Sequence, residues 1–97
     1  MMSIKFTWDP EKDRENRIKH HISFDEAKSV FFDDNARLIH DPDHSVEEDR
    51  FIIIGMSISL KILLVSHFYR EKVNVIRIIS ARKADRHEQK QYLEFLK

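Results

Sequence analysis

Residues 50–80 read RFIIIGMSISLKILLVSHFYREKVNVIRIIS. Three runs in this stretch, Arg50 to Ser57, Leu60 to Tyr69 and Lys72 to Ser80, are rich in Ile, Val and Leu and separated by short breaks. Aliphatic and β-branched runs at this spacing predict consecutive strands in an antiparallel meander. Many of their positions are apolar on both sides of the alternation, so the sheet should have helices or a partner over each face. Gly55, the only glycine of the chain, marks a bulge or a close backbone approach. The last hairpin has two candidate registers. A two-residue turn at Arg70-Glu71 pairs His67 with Asn74 and sends His67 and Arg77 to opposite faces. A three-residue turn, Arg70 to Lys72, pairs Tyr69 with Val73 and puts them on one face. Neither turn holds a glycine that would decide.

Upstream, Ala36 to His40 predicts a short strand, and Asp41 to Asp49 an acidic loop. Ile4, Phe6 and Trp8 alternate with Lys5 and Thr7, the period of a first strand with one face toward a core. Asp9-Pro10 reads as an N-cap followed by a proline in the first turn, where its missing N–H costs nothing. The helix from Pro10 to about His20 runs from acidic to basic, matching its dipole, yet Ile18 is its only large aliphatic residue. Such a polar helix is a solvated edge or a surface that something else covers. Ser23-Phe24-Asp25-Glu26 fits a capping box, and Phe24, Ala27, Val30 and Phe31 follow at near-helical spacing as core, with the helix ending near Asp33-Asp34. Between these helices the chain turns without glycine, which points to a left-handed His21. Downstream, Ser80 to Lys83 leads into a closing helix through about Leu96, with Ala84, Glu88, Tyr92 and Phe95-Leu96 inward. The order is β-α-α-β-β-β-β-α: an α+β chain with a small antiparallel sheet flanked by helices, one domain over residues 1–97.

Ninety-seven residues hold one core, and burial of roughly 60–65% of the unfolded chain's surface leaves a modest stability margin to which a tight partner can add. At 41% hydrophobic and 35% charged, the sequence is that of a globular protein with a highly charged surface. Without cysteine it has no disulfide, no thiolate metal site and no cysteine nucleophile. The N-terminus lacks a signal-peptide pattern and the apolar runs are too short for membrane helices, so the expected location is cytoplasmic, with no membrane partner. The zero formal charge hides an asymmetry. Residues 1–69 carry 9 Lys/Arg and 13 Asp/Glu, a net of −4, whereas residues 70–97 carry 8 and 4, a net of +4. A basic C-terminal third suits a phosphate-binding surface; the bland reading is an ordinary charged surface.

The densest chemistry lies in Arg77-Ile78-Ile79-Ser80-Ala81-Arg82-Lys83-Ala84, which delivers Arg77, Arg82 and Lys83 close together near an expected helix N-terminus. Side-chain cations and helix-terminal N–H groups bind phosphate by separate means. The alternative is that these cations pair with the acidic 41–49 loop or stay solvated. Histidines at 20, 21, 40, 44, 67 and 87 supply groups that move protons near neutral pH. No serine–histidine–acid order stands out. Asp41, Asp43, His44 and Glu48 offer metal-ligand chemistry but lack the glycine and register of a calcium loop, so no metal and no cofactor are assigned. His67, late in a core strand, has as its commoner reading a half-buried histidine with a satisfied hydrogen bond.

Five segments taken together resemble the BrnT toxins: Phe6 to Lys12, Lys19 to Ala27, Asp41 to His44, Arg50 to Gly55, and Arg77 to Ala84. They span nearly the whole chain in the expected order, with His21 standing where that family has glycine. The resemblance implies a RelE/ParE-like fold, endoribonuclease activity that halts translation, and neutralisation by a BrnA-type antitoxin. That antitoxin carries a ribbon-helix-helix part, through which the complex holds operator DNA. Metal-free RNA cleavage needs a base, an acid and positive charge for the crowded phosphorane. On these residues the implied roles are Arg77, Arg82 and Lys83 on the phosphate, His67 or His20 moving protons, and Arg50 as a further cation unless it pairs with Glu48 or Asp49. Trp8 stacks on a base or packs on the sheet. The rival reading is a noncatalytic RNA- or protein-binding module using the same basic end.

Overall fold

The computed structural model describes residues 3–41 and 49–96. Its strands are β1 (Lys5–Thr7), β2 (Arg37–His40), β3 (Arg50–Met56), β4 (Ile62–Arg70) and β5 (Val75–Lys83), in the sheet order β1-β5-β4-β3-β2. The strands β2 to β5 form the expected antiparallel meander. The first strand departs from it. It runs parallel to β5, with Lys5, Phe6 and Thr7 opposite Val75, Ile76 and Arg77. A parallel neighbour requires a crossover, and the two helices that follow β1 begin it. The acidic segment 42–48, including the metal-ligand alternative at Asp43, His44 and Glu48, lies outside the described residues.

Neither candidate register of the last hairpin occurs. Arg70 pairs with Val75, and a turn of 3₁₀ helix at Glu71–Val73 followed by Asn74 at φ 56° makes the connection. Asparagine tolerates the left-handed region without glycine. Phe68 therefore sits opposite Arg77, and His67 opposite Ile78, on the other face. Beyond that pair the register shifts, so that Ser66 faces Ser80, Val65 faces Ala81 and Leu64 faces Arg82, and Ile79 is the extra residue of a bulge. Strict alternation would send Arg77 and Arg82 to opposite faces, because they are an odd number of positions apart; the bulge returns them to one face.

One side of the sheet is covered by α1 (Pro10–His20), α2 (Phe24–Ser29) and a 3₁₀ turn at Val30–Phe32. Ile22, Phe24, Ala27 and Val30 pack there on Ile53, Leu63, Val65, Ile76, Ile78 and Ala81. Each fully buried aliphatic or aromatic side chain contributes about 1.5–3 kcal/mol of transfer free energy. Trp8 packs edge-on against Phe24 at 6.0 Å, which makes it part of this layer. Local caps follow the sequence: Asp9 accepts from Glu11 N–H at 2.9 Å, and His21 takes φ 60° as it donates its N–H to Arg17. Ser23 accepts from Glu26 N–H, but the Glu26 carboxylate turns away to the Ser57 hydroxyl at 2.8 Å.

The polar character of α1 has a structural reason. Its one buried residue, Asn16, donates to the Ala81 carbonyl at 2.8 Å and accepts from the Ala81 N–H at 3.1 Å. A side-chain amide thus replaces a neighbouring strand along β5 beyond the reach of β1, and the helix caps a sheet edge. On the opposite face α3 (Arg86–Phe95) covers one end only, with Tyr92 and Ala84 against Ile54, Met56, Ile62 and Leu64. The Tyr92 hydroxyl donates to Asp33 Oδ2 at 2.5 Å, and Met56 N–H donates to the same oxygen at 2.7 Å. Burial and the Asp33 contact push Tyr92 up to about 12. Gly55 is a close approach within an unbroken β3–β4 register: a Cβ there would stand 2.9 Å from Val30 Cγ1 and 3.0 Å from Ala36 Cβ.

Candidate functional site

The sheet face that α3 covers at one end is built in rows. Direct pairing aligns Arg50, Phe68 and Arg77 across β3, β4 and β5; the next row is Ile52, Ser66 and Ser80, and the third is Ile54, Leu64 and Arg82. Residues directly opposite in antiparallel strands share a face, so all three rows point the same way. His20, the last residue of α1, reaches this face past the edge that Asn16 caps. There it lines a hollow of about 80 Å³ with Ile52, Leu64, Ser66, Ser80, Ala81 and Arg82. The edge-capping helix therefore supplies the one imidazole of the hollow.

The cations of the face have different surroundings. Arg82 makes a two-pronged ion pair with Glu88, Nη1 to Oε1 at 2.8 Å and Nη2 to Oε2 at 2.9 Å. This contact raises the guanidinium further and holds the Glu88 carboxyl below its ordinary value. Arg50 Nε lies 3.2 Å from Asp41 Oδ2, so its partner among the described residues is Asp41, while Asp49 pairs with Arg70 at 3.9 Å. Arg77 is exposed, with no acidic partner among the described residues. Arg50 and Arg70 also stand 5.7 and 5.8 Å from the Phe68 ring centre.

His20, Arg50, Arg77 and Arg82 are thus brought to one face. Lys83 and His67 are not. Lys83 pairs with Leu63, one position out of phase with Arg82, and lines a separate shallow hollow with Met56, Leu60, Lys61, Ile62 and Gln89. His67 is 1% exposed on the helix-covered side, its ring 4.8 Å from Phe31, with Nδ1 3.0 Å from the Val65 carbonyl oxygen. Burial holds its imidazole below the usual histidine value, against the opposing effect of the Val65 hydrogen bond. A substrate on the open face does not touch it.

The expected helix N-terminus is also relocated. Strand β5 runs on to Lys83, and α3 begins at Arg86 under a complete capping box, with Asp85 accepting from Glu88 N–H at 2.8 Å and Glu88 accepting from Asp85 N–H at 2.9 Å. Two carboxylates occupy the place where free donors for phosphate were expected. The sequence reading passed over Ser66, Phe68 and Ser80. The signal for the first two was present, since a serine and an aromatic flank His67 in an otherwise aliphatic run, but it has meaning only once the register is known.

The family model of the BrnT ribonuclease toxins of type II toxin–antitoxin systems matches residues 8–88. The fold is similar to that of the Brucella abortus ribonuclease toxin BrnT in its crystal structure, with a TM-score of 0.67 at 23% sequence identity, covering 87% of this chain and 100% of that one. No curated protein matches the sequence. The family match takes in the three strands that line the hollow, α1 with His20, and the Arg82–Glu88 pair. This chain belongs to the BrnT family of ribonuclease toxins of type II toxin–antitoxin systems.

Proposed function

We propose that this toxin cleaves RNA on the open face of its sheet, in the hollow between His20 and Arg82, by a reaction that needs no metal ion. The observation that carries the reading is the confluence there of an imidazole, two serine hydroxyls and a guanidinium in one hollow. In the reaction a ribose 2′-oxygen attacks the adjacent phosphorus, the P–O5′ bond breaks, and the products are a 2′,3′-cyclic phosphate and a free 5′-hydroxyl. His20 takes the proton of the attacking hydroxyl, and a proton is returned to the departing 5′-oxygen. Arg82 faces the charge that builds on the phosphorane. Glu88 engages two of its five N–H donors and the Lys83 carbonyl a third, which fixes the plane of the fork and leaves the remaining donors for phosphate. Arg77, exposed on the same face, supplies charge for a neighbouring phosphate, and Arg50 is a further cation. Lys83 and His67 drop out of the machinery because of where they point.

A type II system supplies a protein antitoxin. By family likeness that partner is of the BrnA ribbon-helix-helix type, its complex with the toxin binds operator DNA, and RNA cutting in the cytoplasm stops translation. The test uses toxin purified away from its antitoxin and single-stranded RNA in EDTA. Cleavage with cyclic-phosphate ends is expected, slowed about 10²–10³-fold by Arg82→Ala with a smaller loss of RNA binding. Binding without cutting would overturn the reading in favour of a noncatalytic module.

A further inference from the structure

We infer that Phe68 is a stacking platform for one unpaired nucleobase next to the scissile phosphate, so that the substrate class is single-stranded RNA. This rests on the nuclease reading above and extends it from the reaction to the substrate. Phe68 is the only aromatic residue that β3, β4 and β5 direct to the open face, since Phe51 and Tyr69 pair into the opposite one. Its surroundings are not those of a core phenylalanine. Arg50 and Arg77 lie directly across from it on either side, and the helix α3 covers the other end of the face, around Ile54, Ile62 and Leu64.

Two arginines lie over the ring, each near the outer limit of a cation–π contact. Arg50 and Arg70 stand 5.7 and 5.8 Å from its centre, whereas Arg37 sits 4.4 Å above Phe95. An aromatic face framed by guanidinium groups matches a nucleobase with a phosphate on each side: the base stacks on the ring and the cations meet the backbone. Every base has a π-face, so the platform is tolerant of sequence. A base still held in a duplex cannot lie flat on a sheet strand, so pairing state is what it reads. The spacing fits the proposed centre. Phe68 is two positions along β4 from Ser66 in the hollow, about 7 Å at strand rise, the reach of one extended nucleotide.

The experiment uses a short RNA with 2-aminopurine beside the cleavage position, whose fluorescence falls when the base stacks. With the whole toxin, quenching on binding is expected, and Phe68→Leu, which keeps apolar volume but removes the ring, should abolish it. Phe68→Leu should also weaken capture of the single strand about 10- to 100-fold, mainly in KM, while Phe68→Trp restores both quenching and KM. An unchanged thermal midpoint in Phe68→Leu separates this from misfolding. Should Phe68→Leu fail to fold, Phe68→Trp still decides, because deeper quenching supports the platform and loss of quenching overturns it. Equal quenching and equal KM in wild type and Phe68→Leu would overturn it as well. If the wild type quenches 2-aminopurine but cuts nothing, the platform stands and the nuclease reading falls.

Discussion

His67 and Phe68 are neighbours in one strand and live in opposite worlds. The histidine, the residue type associated with proton transfer, is sealed between Phe31 and Phe51 on the helix-covered side. The phenylalanine, the residue type associated with cores, lies on the open side opposite Arg77. A one-residue step along a strand exchanges faces, and here it exchanges apolar burial for a cationic surface. Chemical potential read from residue type is therefore reassigned by pairing. The covered face holds the fold together and the open face is where the proposed reaction takes place, so the two should respond differently to substitution.

The widest separation should come from the two histidines. His20→Ala is expected to lower kcat by about 10²–10⁴-fold with little change in thermal midpoint, since His20 is half-buried at a helix end and its imidazole is the proposed base. His67→Ala should do the reverse. It opens a cavity in the covered layer, costs about 2–4 kcal/mol of stability by analogy with truncation of buried rings, and leaves kcat per folded molecule near wild type. Single-turnover cleavage alongside denaturant melts measures both. A His20→Ala protein with unaltered cleavage, or a His67→Ala protein that folds normally and fails to cut, would erase the distinction between the faces.

Gly55→Ala tests the covered side by addition of a single carbon. Its Cβ would meet Val30, Ala36 and the Asp33 carboxylate, the last of which already accepts from Tyr92 and Met56. Because several neighbours must give at once, destabilisation of about 1–3 kcal/mol is expected, again without loss of kcat per folded molecule. A melt indistinguishable from wild type would show that the close packing around Asp33 relaxes without strain.

These contrasts also show what was legible beforehand. Caps, helix starts and the meander depend on residues within a few positions of one another: Asp9-Pro10, the left-handed His21, and the aliphatic runs on either side of Gly55. The parallel placement of β1 depends on a partner some 70 residues away, and nothing local encodes it. The register of the β4–β5 hairpin is set by Asn74 in a left-handed turn and by the bulge at Ile79, two features without a glycine to announce them. For that reason the sequence grouped Arg77 and Arg82, which share a face, with Lys83 and His67, each one position out of phase. Its placement of the closing helix too early came from the same source. Ser80 to Lys83 is polar enough to pass for a helix entry, yet its backbone pairs with β4 and its outer edge is met by Asn16.

The smallest expected effect concerns pH. Burial lowers the folded-state value of His67 below histidine's ordinary 6.5, so the unfolded chain binds its proton first as pH falls. The contribution of neutral His67 is then fully present above about pH 6.5 and is lost progressively below it, until the folded state also takes up the proton. Denaturant melts at pH 7.5 and pH 5.5 should show wild type losing stability on the acid side. His67→Leu starts lower at pH 7.5, because the Val65 carbonyl loses its donor, but should show a smaller acid loss. The pH profile of cleavage per folded molecule should be the same in both proteins, since His67 does not reach the open face. A parallel acid loss in wild type and His67→Leu would mean that the buried imidazole is not what couples stability to pH, and a displaced cleavage profile would mean that the two faces are electrostatically joined through β4.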